Sequence, residues 1–345
     1  VGSQTNIETG LVEPAQSRYP DGSTWQTLAA YFNSEFKAKP NFTWLAGVRY
    51  SHVWINSDFD STLYPFPFDN ADLNNGAFTG NIGFSLFPKA DLQFTLNGTT
   101  GFRAQNIDDI GKVFDSEPGS VVVPNPYLKP EYAYNIEIGV QTNFEDKVVL
   151  KGAAYYTYLQ DALVRRDYLF NGEEEIFYNG ELSNVQAIQN ASNSYVYGLE
   201  VGLQAFLSEN FSILSNLTYT EGTEEDENGN DTPARHVPPT FGDLHLIWRN
   251  QRLKADLFLI YNGEIYFENL AISEINKSYL YAKDASGNPY SPSWYTLNLR
   301  SQYQIADPLK LTFAVENFTN QRYRPYSSGI AAAGINFILG ASFRF

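Results

Sequence analysis

Apolar and polar side chains alternate along most of this chain, in runs of about 10–14 residues. The run that ends at Phe345 is the clearest. Ile335, Phe337, Leu339, Ala341, Phe343 and Phe345 fall on one side, and Asn336, Ile338, Gly340, Ser342 and Arg344 on the other. A period of two is the signature of a β-strand, whose successive side chains point to opposite faces. The pattern predicts thirteen strands: 25–37, 42–54, 77–87, 92–102, 130–144, 147–160, 194–207, 211–220, 238–249, 252–263, 293–305, 309–319 and 335–345.

The connections alternate between short and long. Short turns fall at 38–41, 88–91, 145–146, 208–210, 250–251 and around Asp307-Pro308, rich in Asn, Asp, Pro and Ser as hairpins demand. Long polar segments fall at 55–76, 103–129, 161–193, 221–237, 264–292 and 320–334. A soluble sandwich or propeller has no reason to keep every long loop at one end, whereas an outer-membrane barrel has short periplasmic turns and long extracellular loops. The fold expected is therefore all-β, a transmembrane antiparallel β-barrel with about 13 strands in this chain. No run approaches the ~20 apolar residues of a membrane helix. Phe and Tyr number 25 and 24, and aromatic residues make up 16% of the chain, as lipid-facing girdles require.

Alternation assigns the faces. Leu309, Leu311, Phe313 and Val315 oppose Lys310, Thr312, Ala314 and Glu316, and Tyr134, Ile136, Ile138 and Val140 oppose Asn135, Glu137, Gly139 and Gln141. A Lys or Arg at the bilayer midplane costs about 2–4 kcal/mol, so Glu137, Glu200, Arg300 and Lys310 are expected to face the lumen. So polar an interior favours a wide barrel. The closing strand runs toward the periplasm, which places residues 1–24 in an extracellular loop. Bacterial barrels have an even number of strands, so thirteen predicts the C-terminal part of a larger barrel.

Composition narrows the function. The net charge of −16 argues against nucleic acid, which demands clustered Lys and Arg. Without cysteine there is no disulfide and no thiolate metal site. No nucleophile elbow, HExxH or phosphate-cradling loop is present, so the chain is not expected to be an enzyme. Neither a starting Met nor a leader is seen, as in a processed product or a fragment.

Five segments carry a resemblance. Thr100-Gly101-Phe102-Arg103-Ala104-Gln105-Asn106 is similar to a "GFRAPN" stretch, with Gln105 where Pro is usual. Pro124-Asn125-Pro126-Tyr127-Leu128-Lys129-Pro130-Glu131 is similar to an "NPdLKPE" box, and Glu137 and Gly139 follow it as an "E.G" pair. Tyr197-Gly198-Leu199-Glu200 resembles a recurring "GlE" strand start. Val315-Glu316-Asn317-Phe318-Thr319-Asn320-Gln321-Arg322-Tyr323 is similar to "v.NlfnkkY", and Phe345 is the terminal aromatic. In this order, over nearly the whole chain, they resemble the TonB-dependent outer-membrane receptors, particularly those of the Bacteroidetes group. The resemblance implies a barrel of about 22 strands around a plug. Residues 1–345 would be its C-terminal portion, with the plug and the N-terminal strands absent. It implies import of a scarce ligand such as a ferric siderophore. The implied partners are the remaining barrel and plug, the TonB complex through that plug, outer-membrane lipid and lipopolysaccharide, and a surface lipoprotein or complex subunits. The rival reading is a barrel serving as a scaffold in a surface assembly; a passive porin is a third.

The candidate ligand-contacting residues in lumen or loops are Arg103, Asn106, Glu137, Arg165, Arg166, Glu200, His245, Arg249 and Arg300. Arg165 and Arg166 suit an anionic ligand. His236 and His245 are the histidines placed to ligate haem, but an ordinary hydrogen-bonding role fits them better. His52 falls on the lipid face. The acidic segment 221–231 matches a calcium loop in part, at Asp226, Asn228 and Asn230, but Asp231 stands where Gly belongs and Val237 where Glu belongs. A solvated acidic loop is the better reading, and no cofactor is expected. Tyr64, Phe66, Phe68, Tyr279, Tyr281 and Tyr290 can stack on a ligand or pack the loops into a lid.

Overall fold

In the computed structural model, all residues are described except 1, 16, 179, 191, 192, 227, 228 and 276, together with the side chains of 115–117. One antiparallel wall dominates. Its strands are β1 (Thr24–Lys39), β2 (Phe42–Asn56), β3 (Leu73–Lys89), β4 (Leu92–Arg103), β5 (Glu131–Phe144), β6 (Val148–Gln160) and β7 (Asn193–Phe206). They continue as β8 (Phe211–Glu225), β9 (Phe241–Arg249), β10 (Leu253–Asn262), β11 (Trp294–Ala306), β12 (Leu309–Glu316) and β13 (Asn336–Phe343). Each pairs with its neighbours in chain order, and a short strand, Asp231–Pro233, pairs with β8 to complete a 14-stranded sheet. The expected thirteen strands are all present. Among the described residues, β1 pairs only with β2 and β13 only with β12, so the sheet is open.

The register fixes the two faces. Opposite residues in adjacent strands share a face, so Ile138, Ala154, Leu199 and Tyr219 form one lateral row. On the outer face Phe32 is 67% exposed, Ile138 59% and Leu199 55%. A contiguous apolar surface of this kind is stable only against hydrocarbon. The other face holds Asn97, Glu137, Glu200, Asp243, His245, Asp256 and Arg300, as alternation predicts. His52 lies on the outer face near the rim, bonded to Tyr50 Oη at 2.8 Å and to Asn74 Oδ1 at 2.5 Å.

The boundaries differ at the outer rim. Strand β3 starts at Leu73 because Leu73 and Asn74 pair with Ile55 and Trp54. Strand β8 reaches Glu225, so the first half of the acidic segment is wall rather than loop. Asp226 caps a turn there, its Oδ1 accepting from the Asn230 backbone at 2.8 Å. Glu227 and Asn228, part of the calcium reading, lie outside the described residues.

The long connections build the molecule's apolar core. Strands from two of them, 115–117 and 120–122 from one and 163–167, 175–178 and 181–190 from the other, form a five-stranded sheet. Its central pairing is parallel, with Asn184, Val185 and Gln186 opposite Ser120, Val121 and Val122. Val121, Val185, Ala187 and Phe170 are buried there with Phe59, Phe66 and Ala71 from the connection between β2 and β3. Tyr64 and Phe68 pack against this cluster, with ring centroids of Phe59 and Phe68 4.9 Å apart. The packing role for these aromatics is the one observed. The N-terminal segment lies at the same end, where Arg18 O accepts from Val113 N at 2.8 Å and Tyr19 bonds Asp108.

Candidate functional site: the luminal face and its outer mouth

On the luminal face the register of β8 to β12 brings separate charges into one lateral chain. Asn216 donates to both Asp243 oxygens at 3.0 and 2.9 Å. His245 Nδ1 lies 2.9 Å from Asp256 Oδ1, and Nε2 lies 3.9 Å from Asp243 Oδ2. The imidazole stacks on Phe258 at 4.8 Å, and the Arg300 guanidinium sits 5.8 Å from the same ring centroid. Arg300 Nη2 then reaches Glu316 Oε1 at 3.5 Å. The result is a polar ladder in which carboxylates alternate with His245 and Arg300. His245 and Arg300, chosen from alternation, belong to one network; the link between them is Phe258.

Other predicted residues stand apart. Glu137 accepts from Asn97 Nδ2 at 3.4 Å on the opposite part of the wall. Glu200 is luminal and exposed on β7. Arg249 lies at the short-turn end, where its carbonyl accepts from Asn210 at 2.6 Å. Arg103 and Asn106 are joined through Asp109. Arg103 Nη2 reaches both Asp109 oxygens at 2.9 Å, and Asn106 caps helix α1 (Ile107–Gly111) in a reciprocal box with Asp109. Both residues are committed to the fold of the loop. Arg165 sits on the loop sheet opposite Ile188, and Arg166 donates to the Glu225 carbonyl, tying that sheet to β8.

The glycines of two motif segments have a steric reason. A Cβ at Gly198 would lie 2.5 Å from Tyr155 Oη, whose ring crosses over that position to bond Thr220 at 2.9 Å. A Cβ at Gly139 would lie 2.4 Å from Thr95 Oγ1.

Sequence reasoning missed the outer mouth beside β11. Glu274, almost fully buried, accepts from Arg235 Nε at 3.1 Å and from Tyr281 Oη at 2.5 Å. Burial pushes the Glu274 carboxyl up, but the Tyr281 hydrogen bond and the Arg235 charge outweigh it and hold it below the usual carboxylate range. Burial, then the Glu274 bond, pushes Tyr281 up; burial holds Tyr326 up at about 12. His236 is held down, first by burial and then by Arg235. Beside this latch lies a cavity of about 440 Å³, floored by Trp294 and Tyr323, whose rings stack at 3.9 Å. Tyr281 lines it, whereas Tyr279 is exposed and Tyr290 pairs with Ala282 in a small hairpin. The one available signal was the close repeat of Arg and Tyr in Gln321-Arg322-Tyr323-Arg324. A second cavity of about 340 Å³ lies on the wall around Asn33, Gly47, Arg49 and Asn81. Among the described residues, no group of three or more His, Cys, Asp and Glu is arranged to hold a metal ion.

A meandering wall with one apolar and one polar face, and all its long loops at one end, is the architecture of an outer-membrane barrel. The chain belongs to the TonB dependent receptor-like β-barrel family, whose model matches residues 2–318. It is 25% identical to hemoglobin-binding protein A of Haemophilus influenzae over 259 residues, 71% of this chain and 24% of that protein. It is 21% identical to the pesticin receptor of Yersinia pestis over 332 residues, 93% of this chain and 44% of the receptor. The fold is shared with the copper transporter OprC (TM-score 0.75, 16% identity, 99% of this chain and 51% of that one). It is also shared with the siderophore receptor PiuA from Acinetobacter baumannii (TM-score 0.65, 18% identity, 93% and 43%). The chain spans less than half the length of these two curated relatives. These proteins are named as binding proteins, receptors and transporters, not enzymes.

Proposed function

We propose that this chain forms the wall and outer loops of a TonB-dependent import receptor in the outer membrane of a Gram-negative cell. The observation that carries this reading is the family match over 2–318 on a wall whose long loops all gather at one end. The chain would be the C-terminal portion of a barrel of about 22 strands that surrounds a plug. The plug would contact the TonB complex, and lipid and lipopolysaccharide would cover the outer face. The Pro124–Glu131 box supports a receptor of the Bacteroidetes type. The cargo would be a scarce nutrient, with a ferric siderophore the leading class; PiuA is named as a siderophore receptor. Glu137, Glu200, His245, Arg249 and Arg300 would line the passage, and Arg103, Asn106, Arg165 and Arg166 would hold the loops over it. The test is uptake of a radiolabelled ferric chelate by cells carrying the full-length receptor, with and without TonB. Uptake that requires both supports the reading; equal uptake without TonB removes it.

A scaffold role in a surface assembly is the second reading. It draws on Phe177 and Leu182, which face each other across the loop sheet and are 74% and 58% exposed. Copurification of partner subunits that shield these two residues would favour it.

A further inference from the structure

The short-turn end of the wall carries a charge pattern opposite to that of the whole chain. Asp and Glu outnumber Lys and Arg by 39 to 23. Yet on β9, β10 and β12 the charged luminal positions nearest the short turns are Arg249, Lys254 and Lys310, and Arg344 continues the luminal parity of β13 just past its end. Arg249 and Lys254 stand directly opposite each other across the turn that joins β9 to β10. Like charges opposed on one face of an antiparallel pair lie about 5 Å apart at Cβ and destabilise the pair. Lys310 lies opposite Ser342, and Arg344 is the next luminal position beyond it. None of these four side chains makes a hydrogen bond, ion pair or ring contact with a described residue.

The nearby carboxylates are used elsewhere. Asp256, two residues from Lys254 and about 7 Å further in at the usual strand rise, takes His245 at 2.9 Å. Glu316 takes Arg300 at 3.5 Å. Asp307, in the turn between β11 and β12, pairs with none of the four. The ladder closes on itself and leaves the basic row beneath it bare. Self-repulsion within such a row is relieved only by an acidic surface laid over it. The row faces the lumen, so lipid headgroups do not reach it. The long loops gather at the far ends of the strands, about 30 Å away. Whatever covers the row therefore stands inside the lumen, and barrels of about 22 strands hold a plug there.

We infer that Arg249, Lys254, Lys310 and Arg344 form a docking surface for an acidic stretch of the plug. The inference rests on the import reading, which supplies the plug, and it names the charge of the plug face that meets β9 to β13. Asp and Glu side chains of that face pair with the row at the short-turn end and hold the plug in register against this part of the wall. An anionic cargo is the poorer occupant, because it would meet the row only in transit, whereas the repulsion has to be relieved in the resting barrel.

The test is zero-length coupling of the full-length receptor in outer-membrane vesicles with a water-soluble carbodiimide, which joins a lysine amine to a carboxylate in contact with it. Peptide mass spectrometry is expected to find Lys254 and Lys310 joined to Asp or Glu of the plug. Raising the salt from 50 mM to 500 mM should cut that yield at least threefold. Lys254→Gln combined with Lys310→Gln should speed amide exchange in the coupled plug stretch at least threefold and leave exchange in β5 unchanged. Coupling of these lysines to wall carboxylates alone, no coupling, or unchanged plug exchange in the double variant overturns the inference. A raised KM for an anionic cargo in that variant, without plug coupling, gives the row to the cargo and also overturns it. TonB-dependent uptake alongside any of these failures leaves the import reading standing, whereas a full-length chain without a plug removes both.

Discussion

Arg103 holds both oxygens of Asp109 at 2.9 Å, and Asp109 in turn closes the capping box with Asn106. One guanidinium at the rim of β4 therefore sets where the first structured turn of the next loop begins. Because Arg103 is 45% exposed, water screens the pair. Arg103→Gln is expected to cost about 1 kcal/mol locally and speed amide exchange in 106–112 about fivefold, and Asn106→Ala about the same through the lost cap. Exchange in β5 should be unchanged, as hydrogen–deuterium mass spectrometry would read.

Phe170 is 1% exposed in the loop core, where Tyr64, Phe66 and Phe114 surround it. Phe170→Ala leaves a cavity that costs about 3–5 kcal/mol. The loop sheet is expected to become cleavable by protease between 161 and 192, while the wall keeps its heat-modifiable gel mobility. Loss of both together would mean that wall and loops fold as one unit.

Ile138 and Glu137 are adjacent on β5 and face opposite ways. Ile138→Arg places a charge on the lipid face near mid-strand and is expected to cost about 2–4 kcal/mol. Glu137→Arg, on the luminal face, should cost well under 1 kcal/mol. Refolding of the full-length protein into lipid vesicles along a guanidinium gradient compares them; equal costs would overturn the face assignment.

Alternation made these faces legible. Each wall strand has a period of two, and hydrocarbon on one side with a wet lumen on the other imposes it on every residue. Hence the side chains of Glu137, His245 and Arg300 could be assigned to the lumen from the sequence alone. Loop architecture was illegible for the converse reason. Val121 and Val185 pair in parallel although 64 residues of chain separate them, and no local period announces such a contact. Glu274 reads as one more acidic loop residue. Only the fold reveals that Arg235 and Tyr281 converge on it.

The Glu274 carboxyl is held below its ordinary value, so its ionised form stabilises the folded loop. That contribution is complete above the unfolded carboxyl value of about 4.3 and is lost as pH falls through the lower folded value. Proteolysis within 264–292 by an acid-active protease is therefore expected to rise on acidification from pH 5 to pH 3. Glu274→Gln should be more susceptible at pH 7 and lose most of that pH response.

The parallel pairing of Val121 with Val185 also decides what surface the long-loop end of the wall presents. The strands of one connection lie beside those of the other in a single sheet, joined by that one parallel pairing. A synthetic peptide copying either loop presents half of a surface that exists only when both are folded together. Antibodies raised against such peptides will recognise denatured protein on a blot and miss the intact cell, whereas those raised against whole cells will show the reverse.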